Sequence, residues 1–566
     1  MRVLIFHGYL LEGTGSNVYN ARLAAALVEL GHEVHLLSQD RHPERQPFVD
    51  AAGDWDGGEL CVRALRPRGA HERVRCTVYR PNIGTLLPVY VADRYEGMQA
   101  RTFAECSDAE VADYIDANVA AVREVVARAS PDVALANHLV MGPVILARAL
   151  GPGTSTGKAS VSETAARGAS SRKVPYAVKV HGSALEYTVK PHPERFLDPA
   201  REGIAGAESV LVGSHHTAGS LWRALGDPEI EERTRLGPPG VDIDRFVPRD
   251  RPAAHAGLDA LVARLRARAG AGTGTGAGGR APTAMFGAEM LGVEAVGDEG
   301  FSGDAGKHTP DEDAFARDDD AAAHALASID LEHDRLVGFV GKLIVNKGVD
   351  LLIAAWPLVL ERVSQAKLVV VGFGADRDPM ERLLGMLAAG DLGQAQDIAL
   401  PHLRAFLRDL SGEGRDRYLT AARELPERVV FTGRLDHDEL TELLPACEAL
   451  VVPSTFPEAF GMVAAEAAAC GALPISAAHS GLAEVSKELA HAVPDTVAPW
   501  LSFAIDDSAV PALAERILAW LTVDPELREQ TRAGLVETVR ERWSWEGVAR
   551  GVIAAARGEL DVLPRP

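Results

Sequence analysis

Two glutamates stand eight positions apart in Pro453-Ser-Thr-Phe-Pro-Glu458-Ala-Phe-Gly461-Met-Val-Ala-Ala-Glu466-Ala-Ala-Ala-Cys-Gly471. Glu458 falls in a strand-to-helix loop and Glu466 on the helix that follows. If that helix covers the interval, the two carboxylates lie roughly on one side, about 12 Å apart along its axis. That spacing is too wide for a shared proton and suits a grip on two separated hydroxyl-bearing parts of one extended ligand. Phe460-Gly461 opens the helix, where unpaired N–H groups and the dipole favour an anion. A second cluster, Val340-Gly341-Lys342-Leu-Ile-Val-Asn-Lys347-Gly348, sets two lysines beside two glycines. Glycine lets the backbone approach closely, and ammonium groups neutralise charge growing on a phosphate leaving group. A third, Val178-Lys-Val180-His181-Gly182-Ser183, places an imidazole at a strand end, and Asn137-His138 is a weaker copy of it. The fourth is the turn Gly13-Thr-Gly15-Ser16-Asn17. A dinucleotide fingerprint wants a third glycine where Val18 stands, so the turn reads as a close-approach loop even though Asp40 ends the next strand.

These residues need a scaffold that presents strand ends. Apolar runs at 3–6, 33–37, 132–136, 177–180 and 209–212 alternate with helical patterns, the first at 18–30. A second series begins at 336–340 and continues at 367–371, 429–432 and 449–452, with a helix at 349–363. Val/Leu-rich runs without alternation are the mark of parallel strands buried on both faces. The predicted fold is therefore α/β with two doubly wound domains. The first covers residues 1–248 and the second 333–545, with a helical excursion at about 376–426. Residues 252–332 carry the small-residue tract AGAGTGTGAGG and, from Asp298 to Asp320, nine acidic residues against Lys307 and Arg317. Most of that segment is expected to be a disordered insertion, since it has too little apolar surface to offset chain entropy; a short helix fits at 258–267. Residues 546–566 form a last helix expected to cross back to the first domain.

The 566 residues carry 58 Lys/Arg against 80 Asp/Glu, a net charge of −22. Such a field repels nucleic acid and anionic lipid. No window offers the roughly 18 uninterrupted apolar residues of a membrane span, so stable membrane insertion is not expected. The opening MRVLIFHGYL reads as a first strand, not a signal peptide, and five scattered cysteines suggest neither disulfides nor a zinc site. A cytoplasmic protein is expected.

At the four clusters, and at GHEV, PPGVDIDRF and VVFTGRL, the sequence resembles the retaining glycosyltransferases of family 4. The resemblance implies the GT-B architecture, two Rossmann-like domains facing a central cleft, with the acceptor bound by the first and the nucleotide sugar by the second. It implies that Glu458 holds donor-sugar hydroxyls, Glu466 the ribose, and Lys342 and Lys347 the diphosphate. Phe460 and Gly461 would line the donor site, Gly15 would lie beside the phosphate, and His181 near the anomeric carbon. Ser16 and Asn17 would reach the acceptor. The family's first basic position is commonly Arg, and Lys342 there gives up bidentate geometry. The implied activity moves a hexosyl group from a nucleotide-diphosphate sugar to an acceptor hydroxyl, retaining configuration, with no cofactor and no metal. The run of three consecutive aspartates, Asp318-Asp-Asp320, lies in the acidic stretch, away from any predicted strand end. A sugar phosphorylase, a nucleotide-sugar epimerase and a non-catalytic sugar-nucleotide binder share the same features. Six arginines between Arg63 and Arg80, with Glu72 the one acidic residue among them, fit either a pocket for an anionic or phosphorylated acceptor or a solvated loop.

Overall fold

The computed structural model describes residues 1–12, 15–66, 74–90, 97–151, 174–272, 317–374 and 376–566. The chain divides into two compact units. The first holds Met1–Gly240 and Trp545–Pro566; the second holds the described residues between Val241 and Ser544. Each is a parallel sheet flanked by helices.

Among the described residues the first unit's main sheet has nine strands. Their order is Thr234–Leu236, Ser209–Val212, Tyr176–Lys179, Val133–Asn137, Arg2–Phe6, Glu33–Leu37, Cys76–Arg80, Ala51–Asp56 and Glu59–Ala64. All neighbours pair parallel except the last two strands, an antiparallel hairpin at the sheet edge. Val3, Leu4, Ile5 and Phe6 are all buried, as a strand covered on both faces requires. The chain enters at Arg2–Phe6, steps to Glu33–Leu37 on one side, and later lays Val133–Asn137 on the other. Strand order reverses between these neighbours, and an open α/β sheet leaves room for a ligand beyond the carboxyl ends at such a point.

The second unit repeats the plan with six parallel strands among the described residues. Their order is Val429–Gly433, Ala366–Val371, Arg335–Val340, Ala449–Val452, Leu473–Ala477 and Ser502–Phe503. Its order reverses between Arg335–Val340 and Ala449–Val452, the two strands whose following loops carry the lysines and Glu458.

Three features differ from the sequence reading. The first unit ends at Gly240, not 248, because Val241 and Phe246 join the second unit's core. The final segment starts at Trp545, and its helix Trp545–Ala556 packs on the Gly15–Glu29 helix and on three strands of the first unit. The expected disordered insertion is helical at both ends, Arg251–Gly272 and Asp319–Ala327. Leu258, Leu261 and Leu265 recur at helical spacing and, with Ala322, Ala323 and Leu326, are buried in the second unit's core. The acidic stretch up to residue 316 lies outside the described residues. The 376–426 excursion comprises five helices, the first Arg377–Ala389, and sends Leu403, Leu407 and Tyr418 into that same core. No helix among the described residues is long and apolar enough to cross a membrane.

Candidate active site

In the second unit, the strand Arg335–Val340 runs into Gly341-Lys342, whose neighbours are pinned to the adjacent strand's end. Gly341 N–H donates to Val371 O at 3.0 Å and Leu343 N–H to Phe373 O at 2.8 Å. A 3-10 turn, Val345–Lys347, then leads through Gly348 into the helix Val349–Leu360. Thr455 N–H donates to Asn346 O at 2.9 Å, which ties this loop to the one after Ala449–Val452. The tie brings Lys347 onto Glu458. Lys347 Nζ and Ser454 Oγ, the latter at 2.8 Å, both donate to Glu458 Oε1. Glu458 N–H donates to Ser480 Oγ at 2.9 Å, Ser480 Oγ meets His479 Nδ1 at 3.1 Å, and His479 Nε2 donates to Ser454 O at 2.8 Å. Burial alone would raise the Glu458 carboxyl; the Lys347 ammonium, the Ser454 hydroxyl and His479 outweigh it and hold it below its ordinary range. The group is an anchored carboxylate.

The helix bearing Glu466 starts at Met462, with Gly461 before it at φ +112, so it does not cover the interval from Glu458. Glu458 belongs to the strand-to-helix loop, as read from the sequence, and the axial spacing of about 12 Å, which required the helix to cover the interval, does not apply. A side chain at Gly461 would place its Cβ 2.6 Å from Leu482 Cδ2. Glu466 is buried and its Oε1 lies 2.7 Å from His437 Nε2. Sequence reasoning missed His437; its signal was the capping box Asp436-x-x-Glu439 that opens the helix His437–Leu443 after a strand. Phe460 is buried edge-on against Trp543, centroids 5.3 Å apart, so its ring is part of the core.

In the first unit, His181 follows the strand Tyr176–Lys179, and its Nε2 lies 2.8 Å from Asn137 Oδ1. Asn137 connects to Asn20 (2.8 Å), Asn20 to His7 (3.1 Å) and His7 to Asn17 (2.9 Å). His7 and Asn20 were absent from the sequence reading. The only signal was position: one follows the first strand, the other lies one helical turn past the glycine loop. Tyr19 packs on His181 at 5.0 Å and Lys179 Nζ sits 5.5 Å over the same Tyr19 ring. Lys179 donates to Gly237 O at 2.5 Å, and burial brings its ammonium down to about 7. His138 stacks between His7, Tyr90 and His181, and neither of its ring nitrogens finds a hydrogen-bond partner among the described residues.

Gly15 and Ser16 begin the Gly15–Glu29 helix; a Cβ at Gly15 would meet nothing within 4 Å. Gly13 and Thr14 lie outside the described residues. Asn17 is buried, with Nδ2 donating to Glu12 O at 2.8 Å and Oδ1 facing His7, so its amide holds the loop instead of reaching an acceptor. Asp40 likewise braces the loop, accepting from Leu11 N–H at 2.9 Å. Of the arginine run, Arg68, Glu72 and Arg73 lie outside the described residues. Arg63 and Arg80 pair with Asp54, Arg75 with Asp50, and Arg66 donates to backbone carbonyls of 44, 46 and 47. Arg63 and Arg80 thus pair across the strands of the sheet edge, and Arg66 and Arg75 brace the loops beside it.

Residues 327–534 match the family model of the glycosyl transferases group 1. That stretch contains Lys342, Lys347, Glu458, Phe460, Gly461 and Glu466; His181 and the first-unit relay lie outside it. The D-inositol 3-phosphate glycosyltransferase of Segniliparus rotundus is 28% identical over 44% of this chain and 44% of its own. An uncharacterised glycosyltransferase of Methanocaldococcus jannaschii is 27% identical over 41% of this chain and 47% of its own. The chain thus spans about half the length of the curated relatives it matches. Among solved structures, sucrose-phosphate synthase from Thermosynechococcus elongatus superposes with a TM-score of 0.52 at 17% identity, over 99% of both chains. The Anabaena protein HepE in complex with UDP-glucose gives 0.50 at 14% identity, over 98% of this chain and 99% of its own. At such identities the likeness is one of fold, and the fold is GT-B.

Proposed function

We propose that the protein is a retaining glycosyltransferase that moves a hexosyl group from a nucleotide-diphosphate sugar to an acceptor hydroxyl. The observation that carries this reading is the pairing of Lys347 with Glu458 at the reversal point of the second unit's sheet. One carboxylate oxygen is held by Lys347 and Ser454, which orients the other to accept sugar hydroxyls. Lys347, Lys342 and the N–H groups opening the Met462–Ala469 helix meet the charge that grows on the departing diphosphate. Glu466 binds the ribose in this reading, and its contact with His437 supports that role by fixing the carboxylate. This cationic set does the work of a divalent ion, and the reaction is metal-independent. His181 hydrogen-bonds a sugar hydroxyl, and the departing phosphate assists deprotonation of the acceptor, so no side chain acts as general base. Five free thiols, four of them buried, fit a reducing, cytoplasmic setting.

The test is release of nucleoside diphosphate from a panel of UDP-, GDP- and ADP-hexoses with hydroxyl acceptors, in the presence of EDTA. Retained anomeric configuration in the product, read by NMR, is expected. Lys347→Ala removes one electrostatic donor, an effect of about 3–4 kcal/mol on the barrier, so turnover should fall by roughly two to three powers of ten. Near-normal turnover in a folded Lys347→Ala protein, or an inverted product, overturns the assignment.

A further inference from the structure

The hydrogen bonds behind His181 run in one direction. Asn17, Asn20 and Asn137 each give an amide N–H to a backbone carbonyl: Glu12 O at 2.8 Å, Ser16 O at 2.8 Å and Phe6 O at 3.2 Å. A carbonyl has no proton to offer, so it must face the NH2 side of each amide, and all three orientations are fixed. His7 Nε2 faces two oxygens, Leu10 O and Asn17 Oδ1, both at 2.9 Å, and therefore carries its proton there. Its Nδ1 is left to accept from Asn20 Nδ2 at 3.1 Å. Asn20 Oδ1 accepts from Asn137 Nδ2 at 2.8 Å, and Asn137 Oδ1 then faces His181 Nε2 at 2.8 Å. The last link closes only if His181 bears its proton on Nε2.

We propose that Asn137, backed by Asn20 and His7, is a positioning residue that holds His181 in the Nε2–H tautomer and leaves Nδ1 as a hydrogen-bond acceptor. His7, Asn17, Asn20 and Asn137 are each at most 2% exposed, so no solvent molecule reaches the chain to reverse a link. Burial first, then the neighbouring His138, Lys179 and His7, keep His181 neutral, which preserves the distinction between its two nitrogens. Nδ1 then takes a hydrogen bond from a sugar hydroxyl, where the other tautomer would present an N–H; only this consequence rests on the proposed sugar transfer.

Nitrogen-15 NMR of histidine-labelled full-length protein reads the tautomer directly, with the His181 signals assigned by their loss in His181→Gln. Wild type should show the His181 proton on Nε2, slow to exchange, and Nδ1 unprotonated. A proton on Nδ1 overturns the proposal without any variant being made. Asn137→Leu should expose that proton to rapid exchange and lower turnover by about tenfold or more. Asn137→Ser, which keeps a small polar group, is the second variant should leucine disturb folding. An unchanged, slowly exchanging Nε2 proton in either variant also overturns it. If the tautomer is as stated but no nucleotide sugar is consumed, the relay stands and the proposed activity falls. If sugar is transferred while Nδ1 carries the proton, the relay alone falls.

Discussion

One oxygen, Glu458 Oε1, takes hydrogen bonds from both Lys347 and Ser454, and this arrangement makes a half-buried carboxylate a fixed acceptor. Residue types announced part of it: a glutamate in a Pro-flanked loop and two Gly-adjacent lysines after a strand have few structural reasons to be there. Ser454, His479 and Ser480 gave no such sign, because a serine near a turn is ordinary in any loop. His7 was equally silent, yet it is a pH-sensitive part of the relay. Burial pushes its imidazole down to about 4, from an ordinary 6.5 when unfolded. The folded state therefore prefers the neutral ring. The associated stability is present above pH 6.5 and is lost as pH falls through about 4, reaching about 3 kcal/mol. Chemical unfolding of wild type and His7→Gln between pH 7 and pH 4 should show the wild-type advantage shrinking by that amount; a pH-independent difference would contradict the burial argument.

Among elements, the helix start at Gly348 decides whether the site assembles. Gly348 has φ +65, and a Cβ there would collide with Pro453 O, so this is where the lysine loop and the glutamate loop touch. Gly348→Ala should cost at least about 1–3 kcal/mol through backbone strain alone and should also part Lys347 from Glu458. Unfolding midpoints and titration with nucleoside diphosphates would check both effects; full stability with undiminished diphosphate binding would show that the contact does not position the site. Strands were readable because continuous Val/Leu runs can be covered only by helices on both faces. At the ends of the 252–332 segment the short helix at 258–267 was legible from Leu258, Leu261 and Leu265, but a small-residue and acidic average hid its extension to Arg251–Gly272 and the helix Asp319–Ala327, whose burial depends on partners far along the chain. The same averaging hid the charged contacts that hold these ends: Arg268 and Arg317 both pair with Glu439, which is nearly buried.

At the scale of the whole molecule, the chain returns to its first unit after completing the second. Trp545 packs on Tyr19 at 5.5 Å, and Ala549, Val552 and Ala555 share a buried cluster with Ala177 and Leu211. Each large apolar side chain buried contributes about 1.5–3 kcal/mol, and a folded unit has only about 5–15 kcal/mol in hand. A chain ending at Ser544 should therefore lose the first unit's unfolding transition or lower it steeply, while the second unit's transition persists; two unchanged transitions in calorimetry would refute this. The sequence by itself determined the α/β class, the alternation of strand and helix, and the residues at strand ends, because local periodicity reports which faces must be buried. Only the tertiary structure decided that Lys347 and Glu458, 111 positions apart, meet on one oxygen, and that His7, Asn20 and Asn137 line up behind His181. Strand order is set by crossovers and by side-chain fit between distant segments, and no local pattern of residues records either.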